Sequence, residues 1–486
     1  MNDLAELALR GLAAARRQIS THFMLTLGTL GFAVACVTVV AGGQVDAGEP
    51  THPVTTWLGL EKTFGVRLDN WVPGAVLFAG IVALVLLWLT IVRLVRRRDP
   101  PERRLWSVAA VWALPFALGP PLMGTTVQTY VAYGLLQRHG HDPYHFGPNR
   151  MTDEIVVSAI EPSARSVPSS AGPLGTLIQH LAVSASAGNA LGALVVLRVL
   201  AVFAAVAIGR LAADLAGTYR AQALTLTLLN PLLLLYIVSA ARLEGVMIAL
   251  VLASLRAAKQ RRWPMSIALA ALGGSVLAPA FLLLPVLITA HVLGARRAPA
   301  WLLLGRDLVV AAAVVLAAGF VVTDGFGWLW TVDNQFSAHT PYSVAGAVAT
   351  LLTPVVRGAS YDDLAAGGRI TAMTAMVCVV VYLLVTVRQR PLERTAGYAL
   401  LALALLGPVL YPWYLLWGTM CLAPTAAARN RALILILCAA GCVLYPPGFT
   451  PLTSDVITGI AIGVLAVVVA GLLVRRHSSE PVSAGT

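Results

Sequence analysis

A carboxylate beside an arginine can take a proton from a hydroxyl while the arginine holds an anion. Aromatic rings nearby can seat a sugar or an apolar tail. The sequence gathers such residues at a few places. One is the stretch Met123 to Leu174, which holds Gln128, Tyr130, Tyr133, Arg138, His139, His141, Asp142, Tyr144, His145, Asn149, Arg150, Asp153 and Glu154. Its Asp142-Pro143 and Gly147-Pro148 pairs turn the chain out of regular helix. The bland alternative is a solvated connector, which the aromatic and histidine content argues against. A second place, Tyr236 to Glu244, sets Arg242 and Glu244 between two apolar runs. They form either a structural lock or an anion-binding arginine with a carboxylate beside it. A third is Tyr411-Pro412-Trp413-Tyr414-Leu415-Leu416-Trp417, either an interfacial aromatic belt or a platform for a sugar or isoprenoid. Trp328, Trp330, Asp333, Asn334 and His339 allow the same two readings.

The elements that position these residues must live in lipid. The 486 residues are 58% hydrophobic and 12% charged, with a mean hydropathy of +0.80, where a soluble domain carries roughly 25% charge. The net charge of +12 is mostly arginine flanking apolar runs. That pattern orients a chain in a bilayer, and nucleic-acid binding explains it poorly. The five cysteines (Cys36, Cys378, Cys421, Cys438 and Cys442) fall inside apolar runs and are expected to pack rather than bridge or ligate. With no tight carboxylate cluster and no Gly-rich nucleotide loop, neither a metal nor a cofactor is expected.

The fold class is therefore all-α integral membrane, a polytopic helical bundle. Residues 1–20 predict a cytoplasmic amphipathic lead-in, 21–475 the membrane domain and 476–486 a cytoplasmic tail. The first apolar run is expected to span rather than to be cleaved. Arg93, Arg96, Arg97, Arg98, Arg103 and Arg104 place 96–104 inside, so the stretch 123–174 lies outside as a site-bearing insert, with interfacial helical pieces at 126–138 and 174–186. Spans are predicted near 21–43, 74–95, 105–122, 190–216, 220–236, 245–256, 263–277, 279–295, 307–323, 370–387, 395–410, 412–425, 432–446 and 456–474. The total is about thirteen or fourteen, several of them short, with both termini inside. A second outer stretch, 324–369, has an apolar middle (343–356) expected to be re-entrant or interfacial.

An outward-facing site limits the chemistry. Nucleotide sugars are cytoplasmic, so a reaction outside needs a donor carried by lipid, such as a polyprenyl-phosphate sugar. Its tail needs a lipid-open groove, its phosphate an arginine, and the acceptor hydroxyl a carboxylate base.

At these residues the sequence resembles the actinobacterial polyprenol-phosphomannose-dependent α-1,6-mannopyranosyltransferases, of the membrane GT-C glycosyltransferase class. The resemblance covers about residues 50–475. It rests on Trp57-Leu58-Gly59-Leu60, Gly140-His141-Asp142-Pro143-Tyr144 with Gly147-Pro148, Gly172-Pro173-Leu174, Leu229-Asn230-Pro231-Leu232, Ala278-Pro279-Ala280 with Pro285, and Pro412-Trp413-Tyr414-Leu415-Leu416-Trp417-Gly418. It implies a GT-C-like bundle in the plasma membrane with an extracytoplasmic site. It also implies inverting transfer of mannose from a polyprenyl phosphate to a lipid-anchored mannan of the lipomannan type. The expected partners are the bilayer, that donor and that acceptor.

The departures are specific. The family's Ser-Arg-Asp-Val-Tyr-Ser-Tyr, whose Asp is the expected base, is Gly124-Thr125-Thr126-Val127-Gln128-Thr129-Tyr130 here, so Thr126 replaces the carboxylate. Pro-Tyr-Gly-Pro-Leu becomes Ser170-Ala171-Gly172-Pro173-Leu174, His-Asn-Asp becomes Arg242-Leu243-Glu244, and the lysine before Ala-Pro-Ala becomes Leu277. The base has moved, with Asp142 the first candidate and Glu244 the second. Otherwise the chain is a degenerate relative that binds lipid-linked glycan or assists a true transferase, or a flippase for polyprenyl-linked sugars. In the catalytic reading Arg138 and Arg242 contact phosphate, while Tyr130, Tyr144, His145, Trp413 and Tyr414 bind the substrates.

Overall fold

Apolar segments of Leu, Val and Ala satisfy their backbone internally by forming helix, and the described residues contain helices and no strand. The structure is a computed structural model describing residues 2–45, 72–98, 100–295, 298–322, 324–331, 343–353, 355–356, 358, 360–425 and 427–443. The Trp57 motif, Asp333, Asn334, His339, the predicted span 456–474 and the tail 476–486 lie outside the described residues.

Helix α1 (Asn2–Val45) joins the lead-in and the first predicted span in one 44-residue helix, since no proline interrupts them. It packs with α2 (Val72–Arg98) and α3 (Glu102–Leu118). The Trp112 indole N–H donates to the Leu27 carbonyl at 3.3 Å. Gly31 makes this approach possible, because a Cβ there would stand 2.0 Å from the Trp112 ring. Buried Arg198 of α6 (Ala190–Ala216) caps the end of α3, donating to the carbonyls of Phe116 at 2.9 Å and Gly119 at 2.7 Å. That arginine is structural.

The two predicted pieces of the 123–174 region are present as α4 (Thr126–Arg138) and α5 (Pro173–Ala185). They run antiparallel, with Gln137 Nε2 donating to the Thr176 carbonyl at 3.2 Å. The Gly172-Pro173-Leu174 motif has a steric origin. Gly172 N–H donates to the Val276 carbonyl at 3.0 Å, and a Cβ on it would meet the Ser275 carbonyl oxygen at 2.3 Å. Pro173 then opens α5 at the position where a missing N–H costs nothing.

Beyond α6 follow α7 (Arg220–Thr227), α8 (Glu244–Lys259), α9 (Trp263–Val276), α10 (Leu283–Gly294), α11 (Ala300–Phe320), α12 (Val344–Leu352), α13 (Tyr361–Val385), α14 (Leu392–Leu406), α15 (Leu415–Leu422) and α16 (Ala428–Val443). Among the described residues, five helices are long and apolar enough to cross a bilayer: Phe23–Val45, α2, Ala190–Thr227, α11 and α13. A bent pair, Pro231–Ser239 with α8, makes a sixth. The other predicted spans that are described fall on helices of 17 residues or fewer, below the ~20 of a straight span. The arginine pattern counts changes of side, whereas only some of the helices meet the length of a full crossing. Helix α12 is nine residues long, too short to cross a bilayer.

Ion pairs gather at one end of the bundle. Arg220 donates to Glu102 at 2.6 Å and to Asp214 at 3.0 Å, while Arg256 meets Asp214 at 3.3 Å and Lys259 meets Glu393 at 3.7 Å. Such partly exposed pairs contribute about 1 kcal/mol or less each, so they fix register more than stability. The C-terminal end of α8, with Arg256 and Lys259, lies at this pole. Its N-terminal end, with Glu244, lies at the other.

Candidate functional site

The chain breaks its helical path between Ser239 and Glu244. Asn230 opens the approach, its Oδ1 accepting from Leu232 N–H at 3.0 Å and its Nδ2 donating to the Leu226 carbonyl at 3.2 Å. Residues Leu234–Ser239 form a π-helix, a wide turn frequent at functional sites. Ala241 then adopts φ +49, and α8 departs at 117° to the preceding piece. A non-glycine residue in the left-handed region is strained, and Ala241 is buried as well. The product is an abrupt corner carrying Arg242 and Glu244, both buried, with Glu244 the first residue of α8.

The two do not lock together. The Arg242 guanidinium instead lies 3.4 Å from the centre of the Trp413 ring and 5.9 Å from that of Tyr236. Arg242 Nε and Glu244 Oε2 are buried without a hydrogen-bond partner, while the Trp413 indole N–H donates to the Glu244 carboxylate. The floor is built from Tyr411–Trp417. Pro412 starts a 3₁₀ turn leading directly into α15, so the rings fan out at short spacing. Tyr411 stacks on Trp413 at 4.5 Å, and Tyr414 on Trp417 at 4.1 Å. Tyr130 of α4 closes the cluster. Burial and then the nearby Glu244 carboxylate push its phenol up, and Arg242 opposes them.

The remaining candidates stand elsewhere. Asp142 accepts from the Tyr144 N–H at 2.9 Å and pairs with His145 Nδ1, so it shapes its own turn. Tyr144 is buried, its hydroxyl bonded to Thr176 Oγ1 of α5 at 2.9 Å and its ring tight against Gly327. His145 is 64% exposed. Arg138 ends α4 beside Gly188, about 12 Å along the helix from Tyr130. Arg242, Glu244, Tyr130, Trp413 and Tyr414 are therefore gathered into one cluster, which Asp142, Tyr144, His145 and Arg138 do not join. Sequence reasoning passed over Tyr236, Tyr411 and Trp417 as individual members. Their presence in the same two short motifs was the available signal. Among the described residues no group of three or more His, Cys, Asp or Glu could hold a metal ion.

Comparison with known proteins gives this cluster a context. Residues 25–296, more than half of the chain, match the model of the alpha-(1->6)-mannopyranosyltransferase N-terminal domain, and 342–475 match the MptB C-terminal domain. The chain belongs to the alpha-(1->6)-mannopyranosyltransferase family. It is 27% identical over 427 residues to alpha-(1->6)-mannopyranosyltransferase A of Mycobacterium tuberculosis, covering 82% of this chain and 80% of that one. A probable alpha-(1->6)-mannopyranosyltransferase of Mycolicibacterium smegmatis is 28% identical over 447 residues, 81% and 78% of the two chains. A second transferase of that name from M. tuberculosis is 26% identical over 478 residues, 84% and 80%. At this distance the chain is a divergent member of a mannosyltransferase family.

Thr126 stands on the same element as Tyr130. It is the first residue of α4, one turn before Tyr130 and on the same helical face.

Proposed function

We propose that the chain is a GT-C-type mannosyltransferase that takes mannose from a polyprenyl phosphate and passes it to a lipid-anchored mannan at the extracytoplasmic face of the plasma membrane. The observation carrying this reading is the buried Glu244 carboxylate. Its Oε2 is without a partner, next to an Arg242 guanidinium fixed on the Trp413 face. In the step, Glu244 accepts the proton of the acceptor hydroxyl as that oxygen bonds to the anomeric carbon. The bond from that carbon to the phosphate oxygen breaks, and the phosphate leaves as an anion held by Arg242. Attack opposite the leaving group inverts the anomeric centre. Trp413, Tyr414 and Tyr130 seat the sugar and the first isoprene units. Asp142, Tyr144 and His145 shape their own turn, and Asp142 takes no part in the proton transfer.

Thr126, where the family resemblance leads one to expect a carboxylate, favours a second reading, in which a binding protein has kept the cluster without turnover. One experiment separates them. Purified protein in lipid vesicles is given polyprenyl-phosphate mannose labelled in the sugar, together with a short α-mannoside. Transfer moves label into the mannoside. A flippase moves intact labelled lipid between leaflets, and a binding protein retains the donor unchanged.

A further inference from the structure

The opposite pole of the bundle carries a second basic site. A cavity of about 660 Å³ is lined by Arg261, His291, Gly294, Leu303 and Arg388, at the ends of α8, α10, α11 and α13. It is separate from the candidate active site, because Glu244 and Arg261 flank α8 at its two ends, about 25 Å apart. His291 is fixed as its inner wall. Its ring stacks on Trp263 at 4.6 Å, and its Nδ1 pairs with the fully buried Asp307 at 2.5 Å. Arg306 donates to the other oxygen of Asp307 at 3.1 Å, so that carboxylate is occupied. Arg261 and Arg388, both exposed, have no acidic partner among the described residues, which leaves the rim positive.

Arg261 also stands where a glycine belongs. Helix α8 ends in a Schellman turn, with Arg262 N–H bonded to the Ala257 carbonyl and Arg261 N–H to the Ala258 carbonyl, both at 2.9 Å. The residue at that position is left-handed, and Arg261 has φ +62. A long cation held in a strained conformation is a sign of use rather than of packing.

We propose that this cavity binds the phosphate of an anionic phospholipid headgroup, with Arg261 and Arg388 as the contacts. Arginine's planar fork suits phosphate oxygens, and basic pockets between helices near the bilayer surface hold such headgroups. Lipid is favoured over a soluble phosphate because the flanking helices are open to the bilayer: the apolar window of α13 is 6% buried and that of α11 28%.

The test is native mass spectrometry of the full chain in detergent with added phosphatidylinositol, cardiolipin or phosphatidylcholine. The anionic lipids should be retained in preference to phosphatidylcholine. Arg261→Gly should weaken that retention about fivefold while leaving thermal stability unchanged or higher, and adding Arg388→Gln should cost about fivefold more. Arg210→Gln, a charge-matched control in α6, should have no effect. Equal retention of phosphatidylcholine, or unchanged retention in the Arg261→Gly/Arg388→Gln variant, would overturn the proposal. Displacement of the lipids by inorganic phosphate at matched concentration would also overturn it, by assigning the cavity to a soluble anion.

Discussion

The Glu244 carboxylate is buried with one oxygen left open, beside a guanidinium that does not bond to it. Arg242 provides a nearby positive charge but keeps to the Trp413 ring, so Glu244 Oε2 stays available. Replacing Arg242 by Lys keeps the charge and loses the flat, stacked fork. The account predicts about tenfold weaker polyprenyl-phosphate binding in Arg242→Lys, measured by titration of the purified protein with that lipid. Asp142 behaves differently. Its hydrogen bond raises the His145 imidazole above its ordinary value of 6.5. A raised histidine is charged and paired at and below that value, and the pairing is lost as pH climbs through the raised one. Asp142→Asn should bring the His145 titration, followed by NMR of the ring protons, back towards 6.5. An unmoved titration would show that the pair does not form. The sequence shows both carboxylates equally well and ranks Asp142 first. What separates them is a partner three residues away for one and an open oxygen for the other, and neither is legible without coordinates.

At the scale of elements, the corner at 240–243 makes the site. Apolar runs on either side of Arg242 are plain in the sequence, and so is the stop between them. The π-helix and the left-handed Ala241 are not, because both are imposed by packing against surrounding helices rather than by a Gly or Pro. Backbone sterics give a direct test. Ala241→Gly removes the strain and should keep transfer activity. Ala241→Val places a branched side chain in the same region and should cost about 1–3 kcal/mol, read as a lower unfolding temperature in detergent. Equal stability of the two variants would mean that the corner is not held as described. The pieces of the 123–174 region were more legible. Their mixed apolar and polar spacing marks α4 and α5 to within a residue or two, since helical periodicity is a local property of the sequence.

For the whole molecule, composition and arginine placement already specify an all-α membrane protein, because lipid permits few other solutions. They do not specify helix lengths, and several predicted crossings turn out to be short helices. Sidedness can be tested through residues at the two poles. With Cys378 replaced, His145→Cys should react with an impermeant maleimide on intact cells, and Arg261→Cys only after permeabilisation. Reaction of both from outside would refute the topology and, with it, the separation of the two sites.

The most direct test of the central claim is transfer of labelled mannose by wild type, Glu244→Gln and Asp142→Asn, side by side, with donor binding measured in each. The account predicts a fall of about 10²–10⁴-fold in Glu244→Gln with donor binding retained, and a smaller loss in Asp142→Asn. Undiminished transfer by Glu244→Gln would contradict it.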